Sequence, residues 1–272
     1  MLEVIKLLVK FLICKQTFFK EIIAWKPDIV HAHDLLTLPC AVDISKQVGS
    51  KTIYDAHEYQ MGGYRSLSSA YTKLVQWVEQ RYGEDADVII TVSEEIAGLY
   101  RMGFGGNTKV EVVYNSPKFE FSDKTINIRT KLGLNSKVPL MVYVGGFLPN
   151  RGIEELIDSL PFLSDFNLAC VGHDPAGQAT SLAQKARDLG FGDKVFFLDP
   201  VAPEDVVPFI RTADVGVYAI QNVCKSYDYS MPNKLFEMVF AGLPVAVSNL
   251  TSVRNFLEVY PVGKTFEQGS PM

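Results

Sequence analysis

Short, near-continuous apolar runs alternate with amphipathic stretches along almost the whole chain. The runs "DIVHAH" (28–33), "KTIYDA" (51–56), "DVIITVS" (87–93) and "KVEVVYN" (109–115) read as a first series of strands. A second series comprises "PLMVYVGG" (139–146), "NLACVG" (167–172), "KVFFLD" (194–199), "DVGVYA" (214–219) and "PVAVSN" (244–249). Strands this uniformly rich in Val, Ile and Leu are covered on both faces, as in a parallel sheet. Helical patterns such as "LTLPCAVDISKQV", "YTKLVQWVEQRY" and "ATSLAQKARDLG" separate them, which predicts an α/β architecture with right-handed crossovers. The polar stretch 115–139 interrupts the rhythm. It divides the chain into an N-terminal Rossmann-like lobe (1–120), a linker (121–138) and a C-terminal Rossmann-like lobe (139–272), with a cleft expected between the lobes.

The first 24 residues carry a different pattern. On a helix, Glu3, Lys6, Lys10, Thr17 and Glu21 share a narrow face. Val4, Leu8, Phe11, Leu12, Phe18, Phe19 and Ile22 occupy a broad opposite one. This predicts an amphipathic helix packed on a sheet, with a cationic membrane-surface helix as the alternative. No uninterrupted apolar run in it reaches the length of a membrane span, and no small-residue cleavage site follows it.

Composition narrows the class only a little. With 272 residues, 47% hydrophobic and 21% charged, the chain has an ordinary globular composition. A net charge of −5 argues against nucleic acid as a partner. Cys14, Cys40, Cys170 and Cys224 are far apart and lie in or beside apolar sequence, so free thiols in a reducing, cytoplasmic compartment are expected.

Chemistry concentrates at the strand ends. "HAHD", "DAHE" and "VSEE" follow strands of the first lobe; "GGFLPNR" and "GHDP" follow strands of the second. The chain's four histidines, His31, His33, His57 and His173, all stand at such ends. Ligands of open parallel sheets bind beyond the carboxyl ends of the strands, so these residues point to a ligand site. A metal held by His31, His33 and Asp34 is disfavoured against polar residues satisfied at a strand end. Alternation puts both imidazoles on one side, but the sequence offers no further histidine or cysteine beside them. A Ser–His–Asp hydrolase and a dinucleotide oxidoreductase are disfavoured, because neither G-x-S-x-G nor G-x-G-x-x-G occurs.

Two motifs carry positive charge to that end of the second lobe. In "YVGGFLPNRGIEELIDSL" (143–160), Gly145 and Gly146 permit close backbone approach, and Arg151 at the helix start can grip a diphosphate in two-pronged fashion. In "SMPNKLFEMVFAGLPVAVS" (230–248), Pro232 suits a first helical turn and Gly242 a left-handed cap. Lys234 and Glu237 lie one turn apart on one face. Either they form a surface ion pair, or Lys234 holds phosphate while Glu237 accepts hydrogen bonds from a ribose.

The order of "KPDIVHAHD", "YDAHE", "ADVIITVSE", "VVYNSP", "YVGGFLPNRGIEELI", "VGHDP", "VFFLDPVAPEDVVPFIRTADVGVYA" and "PNKLFEMVFAGLPVAVS" resembles the retaining GT-B glycosyltransferases, particularly glycosyltransferase family 4. The resemblance implies two Rossmann-like lobes facing across a cleft, a nucleotide-sugar donor bound mainly by the second, and an acceptor bound mainly by the first. It implies that Arg151 takes the lysine's place in the family's arginine–lysine diphosphate pair. Glu237 matches the ribose-binding second glutamate of the family's paired-glutamate motif. Gly145, Gly146, His173, Ser230, Met231 and Asn233 become donor neighbours, His57 lies near the reacting groups, and His33 and Glu58 fall on the acceptor side. Three departures stand out: Tyr229 replaces the first glutamate of the pair, Gly146 replaces the arginine, and the first strands and closing helices of the family are not found. The expected activity is metal- and cofactor-independent hexosyl transfer to a glycan or lipid-linked acceptor, in cell-surface polysaccharide synthesis. Peripheral contact with the inner membrane face and a complementing subunit are further expectations. The alternatives are a GT-B fragment that binds nucleotide or protein without turnover, and a UDP-sugar epimerase.

Overall fold

The computed structural model describes residues 2–62, 68–104, 108–119 and 126–269. It forms two compact units: residues 1–115 with 223–231, and residues 116–222 with 232–272. Residues 121–125 of the linker expected over 121–138 lie outside the described residues.

In the first unit the elements run α1 (Leu2–Trp25), β1 (Ile29–His33), α2 (Asp34–Val48), β2 (Lys51–Ala56), α3 (Ser69–Gly83), β3 (Val88–Thr91), α4 (Glu94–Gly103) and β4 (Lys109–Val112). The strands form one parallel sheet in the order β1-β2-β3-β4. The local chemistry explains the helix boundaries. Ser68 and Ser93 accept from the amides of Tyr71 and Ile96 to start α3 and α4. Gly49, at φ +78°, closes α2 with its N–H on the Ser45 carbonyl at 2.8 Å.

α1 packs chiefly on α2, less on α3, and its Cys14, Phe18 and Ile22 line a small pocket with Val30 and Ala32 of β1. Leu7, Phe11, Cys14, Phe19, Ile22 and Ile23 meet the core, whereas Leu8, Leu12 and Phe18 are 45%, 59% and 48% exposed. The broad apolar face read from sequence is therefore only partly used.

In the second unit α5 (Ile128–Leu132), β5 (Leu140–Val144), α6 (Ile153–Ser159), β6 (Asn167–Val171), α7 (Gln178–Asp188), β7 (Val195–Leu198), α8 (Val206–Ile210) and β8 (Val215–Tyr218) come first. The chain then contributes the short α9 (Lys225–Asp228) to the first unit. It returns for α10 (Asn233–Phe240), β9 (Val245–Ser248), α11 (Thr251–Val259) and β10 (Gly263–Phe266). The parallel sheet has the order β10-β9-β8-β5-β6-β7. All residues of β5 and β6 are buried, as their unbroken apolar sequences require. α5 is tied to this sheet by the buried Arg129. Its guanidinium donates to the Asn135 and Val138 carbonyls at 2.8 Å and pairs with Asp214 at 2.6 Å.

Strand order reverses between β5 and β8, which are neighbours although three helices and two strands separate them in the chain. This is the topological switch point, where open α/β sheets place their ligands. Among the described residues no helix is long and apolar enough to cross a membrane.

Candidate functional site

The second unit builds its site around that switch point. Beyond β5, Gly145 adopts φ +153°, and a Cβ there would lie 2.8 Å from Tyr143 Oη. That hydroxyl is used: it donates to the Gly146 carbonyl at 3.1 Å. Burial raises the Tyr143 phenol far above its ordinary pKa, and the nearby Arg151 charge offsets this only in part. Gly172, beyond β6, is required for a different reason. A Cβ would sit 1.8 Å from the Gly145 carbonyl oxygen, so only glycine lets the two strand ends touch. The Phe147 amide then bonds the His173 carbonyl at 2.8 Å. Gly145, Gly146 and His173 are thus brought together, with the His173 side chain exposed.

Arg151 is half-buried on the turn after β5. The segment after β8 is laced to that turn: the Gln221 amide donates to the Asn150 carbonyl at 3.0 Å, and Gly152 admits the Ala219 carbonyl where a Cβ would be 1.8 Å away. α10 runs back from this end of the sheet toward the start of β9, so its first residues, Asn233 and Lys234, stand at the carboxyl ends of the strands. Pro232 precedes the helix as its N-cap (φ −75°, ψ 135°) instead of occupying the first turn, and Gly242 takes the left-handed conformation expected of it. Lys234 Nζ lies 3.1 and 3.2 Å from the two oxygens of Glu237, which is 9% exposed. Without a ligand, then, the ion pair is made.

A 740 Å³ pocket opens beyond β6 and β7, lined by Phe147, His173, Phe197 and Pro200 among others. Its volume suits a small-molecule site. Ser230 and Met231 belong to the first unit's portion of the chain, where Ser230 Oγ donates to the Tyr227 carbonyl at 2.9 Å.

The first unit gathers its own cluster at the carboxyl ends of β1 and β2. Alternation along β1 leaves His31 and His33 on its exposed face, their rings stacked at 4.4 Å. Register pairs His33 with Asp55 on β2. Asp55 Oδ2 lies 3.3 Å from His31 Nε2 and 3.4 Å from His33 Nδ1, and its Oδ1 is 3.5 Å from His57 Nε2. The other nitrogen of His57 is 3.7 Å from Asp34. Asp34 has a left-handed φ of +59°, and its Oδ1 is buried without a hydrogen-bond partner. The sequence reading found no partner for His31 and His33; the neighbouring strand supplies one in Asp55. His57, Glu58 and Asp34 also line a 420 Å³ pocket with Lys10 and Tyr71.

Beneath this pocket lies a group the sequence reading missed. Glu79 is fully buried; its Oε1 accepts from Tyr54 and Tyr100, both at 2.7 Å, and its Oε2 from the Met61 amide at 2.8 Å. Burial pushes the carboxyl up to about 7 despite these three donors. Glu79 thereby anchors the segment that follows His57 and Glu58. A glutamate amid "LVQWVEQRY" gives no sign of this, because its tyrosine partners are 25 and 21 residues away.

Comparison with known proteins agrees with this architecture. Residues 138–267 match the family described as Glycosyl transferases group 1, and residues 9–116 match the Glycosyl transferase 4-like domain. The two matches together span most of the chain and support a glycosyltransferase, and the fold is the GT-B fold. It is 25% identical over 244 residues to an uncharacterized glycosyltransferase of Methanocaldococcus jannaschii, covering 86% of this chain and 60% of that protein. It is 27% identical over 203 residues to the GDP-mannose-dependent alpha-(1-6)-phosphatidylinositol monomannoside mannosyltransferase of Mycolicibacterium smegmatis, covering 69% and 51%. The chain thus spans between half and three-fifths of the length of these two relatives. Among solved structures, Anabaena HepE in complex with UDP superposes with a TM-score of 0.74 at 17% identity, over 93% of this chain and 69% of that one. Sucrose-phosphate synthase from Thermosynechococcus elongatus gives 0.72 at 19% identity, over 90% and 61%.

Proposed function

We propose that this chain is a retaining, metal-independent hexosyltransferase of glycosyltransferase family 4. It takes its sugar from a nucleoside diphosphate donor and passes it to a glycan or lipid-linked acceptor in cell-surface polysaccharide synthesis. The observation that carries this reading is the second unit's switch point. There Arg151 and Lys234 follow adjacent strands β5 and β8 at their carboxyl ends. Two cations so placed stabilise the charge that develops on a departing diphosphate, a contribution that usually dominates such catalysis. In the unliganded protein Lys234 neutralises Glu237. Donor binding turns the ammonium toward phosphate and leaves the Glu237 carboxylate to accept from the ribose hydroxyls. Asn233 and His173 complete the donor contacts. On the first unit, His57, His33 and Glu58 are the groups that serve the acceptor.

Support for a nucleotide-sugar donor comes from the named donor of the mycobacterial relative and from HepE, whose structures hold UDP, and UDP with glucose. The exposed apolar residues of α1, among them Ile5, Leu12 and Ile13, flanked by Lys6, Lys10 and Lys20, support peripheral membrane contact. A complementing subunit belongs to the same proposal. A nucleotide-binding GT-B chain without turnover is the second reading, favoured by Tyr229 and Gly146 at positions where the family has charged residues. Incubation with a panel of UDP- and GDP-hexoses, with or without glycan and polyprenyl-phosphate acceptors, separates the two. Release of nucleoside diphosphate with a new anomer-retained glycoside supports transfer. Nucleotide binding without release supports the second reading, and absence of both overturns the proposal.

A further inference from the structure

We propose that His31, His33 and Asp55 form a binding site for a zinc-class transition-metal ion on the first unit. Their ligand atoms all lie within 4.8 Å of one another. Two separations are more telling: 3.3 Å from His31 Nε2 and 3.4 Å from His33 Nδ1 to the same Asp55 oxygen. A tetrahedral ion with arms of about 2.1 Å holds its ligands about 3.4 Å apart, so the protein presents two edges of that tetrahedron ready-made.

The scaffold accounts for this geometry. Period-two alternation projects His31 and His33 from one face of β1, and parallel register sets Asp55 opposite His33 on β2. All three come from strands rather than loops, so their spacing is held by the sheet hydrogen bonds. Two imidazoles and one carboxylate, with a fourth position open to solvent, match zinc, cobalt and nickel; magnesium and calcium require more oxygen ligands.

The surroundings also fit a metal centre. Asp55 turns its second oxygen toward His57 at 3.5 Å, and His57 in turn approaches Asp34 at 3.7 Å. Carboxylate–histidine contacts of this kind orient ligands around bound metals. The buried, unpartnered Oδ1 of Asp34 marks polar capacity that the protein alone leaves unused. With His31 and His33 side chains 40% and 59% exposed, the ion would exchange with solvent. The site belongs to the first unit and shares His33 with the proposed acceptor side, but zinc binding is read without any transfer assay.

Metal-stripped protein titrated calorimetrically with zinc chloride tests the proposal, with cobalt(II) absorption as a second readout. One equivalent of zinc should bind, and cobalt should show the intense visible bands of four-coordinate geometry. His31→Asn, His33→Asn and Asp55→Asn should each weaken zinc roughly tenfold or more, with circular dichroism unchanged. His173→Ala and the double variant Cys14→Ser/Cys40→Ser should bind as the parent does. Absence of saturable zinc binding, or binding that persists unchanged in any folded variant of the three ligands, overturns the site.

Discussion

Replacing Glu79 by glutamine is the most informative perturbation of the first unit, because charge and hydrogen bonding change in separable ways. The carboxyl titrates at about 7 in the folded protein, against an ordinary 4.5. A folded-state value above the unfolded one means that the folded protein binds more protons between the two. Its stabilising effect is therefore complete below pH 4.5 and is lost as pH rises through 7. At ~1.36 kcal/mol per unit the whole excursion amounts to about 3 kcal/mol. Glutamine removes the titration. Its carbonyl oxygen can still accept from both Tyr54 and Tyr100, since it has two lone pairs, but its NH2 would face the Met61 amide, donor against donor. Hydrogen exchange followed by mass spectrometry on peptides covering residues 51–91, in graded urea at pH 5, 6, 7 and 8, reads this unit alone. The parent should lose up to about 3 kcal/mol across that range relative to Glu79→Gln. The Met61 amide should exchange about tenfold faster in the variant at every pH. Parallel stability–pH profiles for the two proteins would refute the reasoning, because they would show that Glu79 is not the group titrating.

Other predictions concern the second unit. Gly172→Ala drives a Cβ to 1.8 Å from the Gly145 carbonyl, where backbone must move; a loss of roughly 2 kcal/mol or more in urea unfolding is expected, and a change within ~0.5 kcal/mol would contradict the close approach. Gly146 is the converse case, since the nearest atom to a Cβ there is 3.5 Å away and the backbone φ is ordinary. Gly146→Arg should fold normally and bind UDP several-fold more tightly by restoring a second guanidinium-type contact, roughly 1 kcal/mol. Unchanged affinity in a folded variant would remove position 146 from the diphosphate site. Lys234→Met should leave the fold intact yet weaken UDP roughly tenfold, and equal affinity would assign Lys234 to the ion pair with Glu237 alone.

Much of the architecture was legible because buried parallel strands announce themselves. All nine runs read as strands are strands; β2 keeps its expected bounds, and the other eight are shortened by one to three residues in all. β10 escaped notice for a physical reason: "GKTF" is an edge strand, only half-buried, and carries no continuous apolar run. The same limit applies to α1, where the apolar pattern gave a helix but not the width of its buried stripe. At the sites, glycine turns and helix-start cations were visible as motifs, since each is local in sequence. Relationships across strands were not. Asp55 became a partner of His31 and His33 only through register, and Glu79 met Tyr54 and Tyr100 only through packing. The segment Val223–Met231 shows the same thing at larger scale: Ser93 Oγ donates to the Tyr229 carbonyl at 2.6 Å, a contact spanning 136 residues that no local pattern encodes.

Recognition of a diphosphate by Arg151 at the β5 turn is the central claim, and the affinity difference between UDP or GDP and the bare nucleoside tests it most directly. Calorimetry on the parent should show one of the two diphosphates binding at least roughly 100-fold more tightly than its nucleoside, about 3 kcal/mol in favour of the phosphates. In Arg151→Ala that preference should shrink by about tenfold or more while nucleoside binding stays unchanged. A preference that survives the substitution intact, or a parent that binds neither diphosphate, would contradict the account.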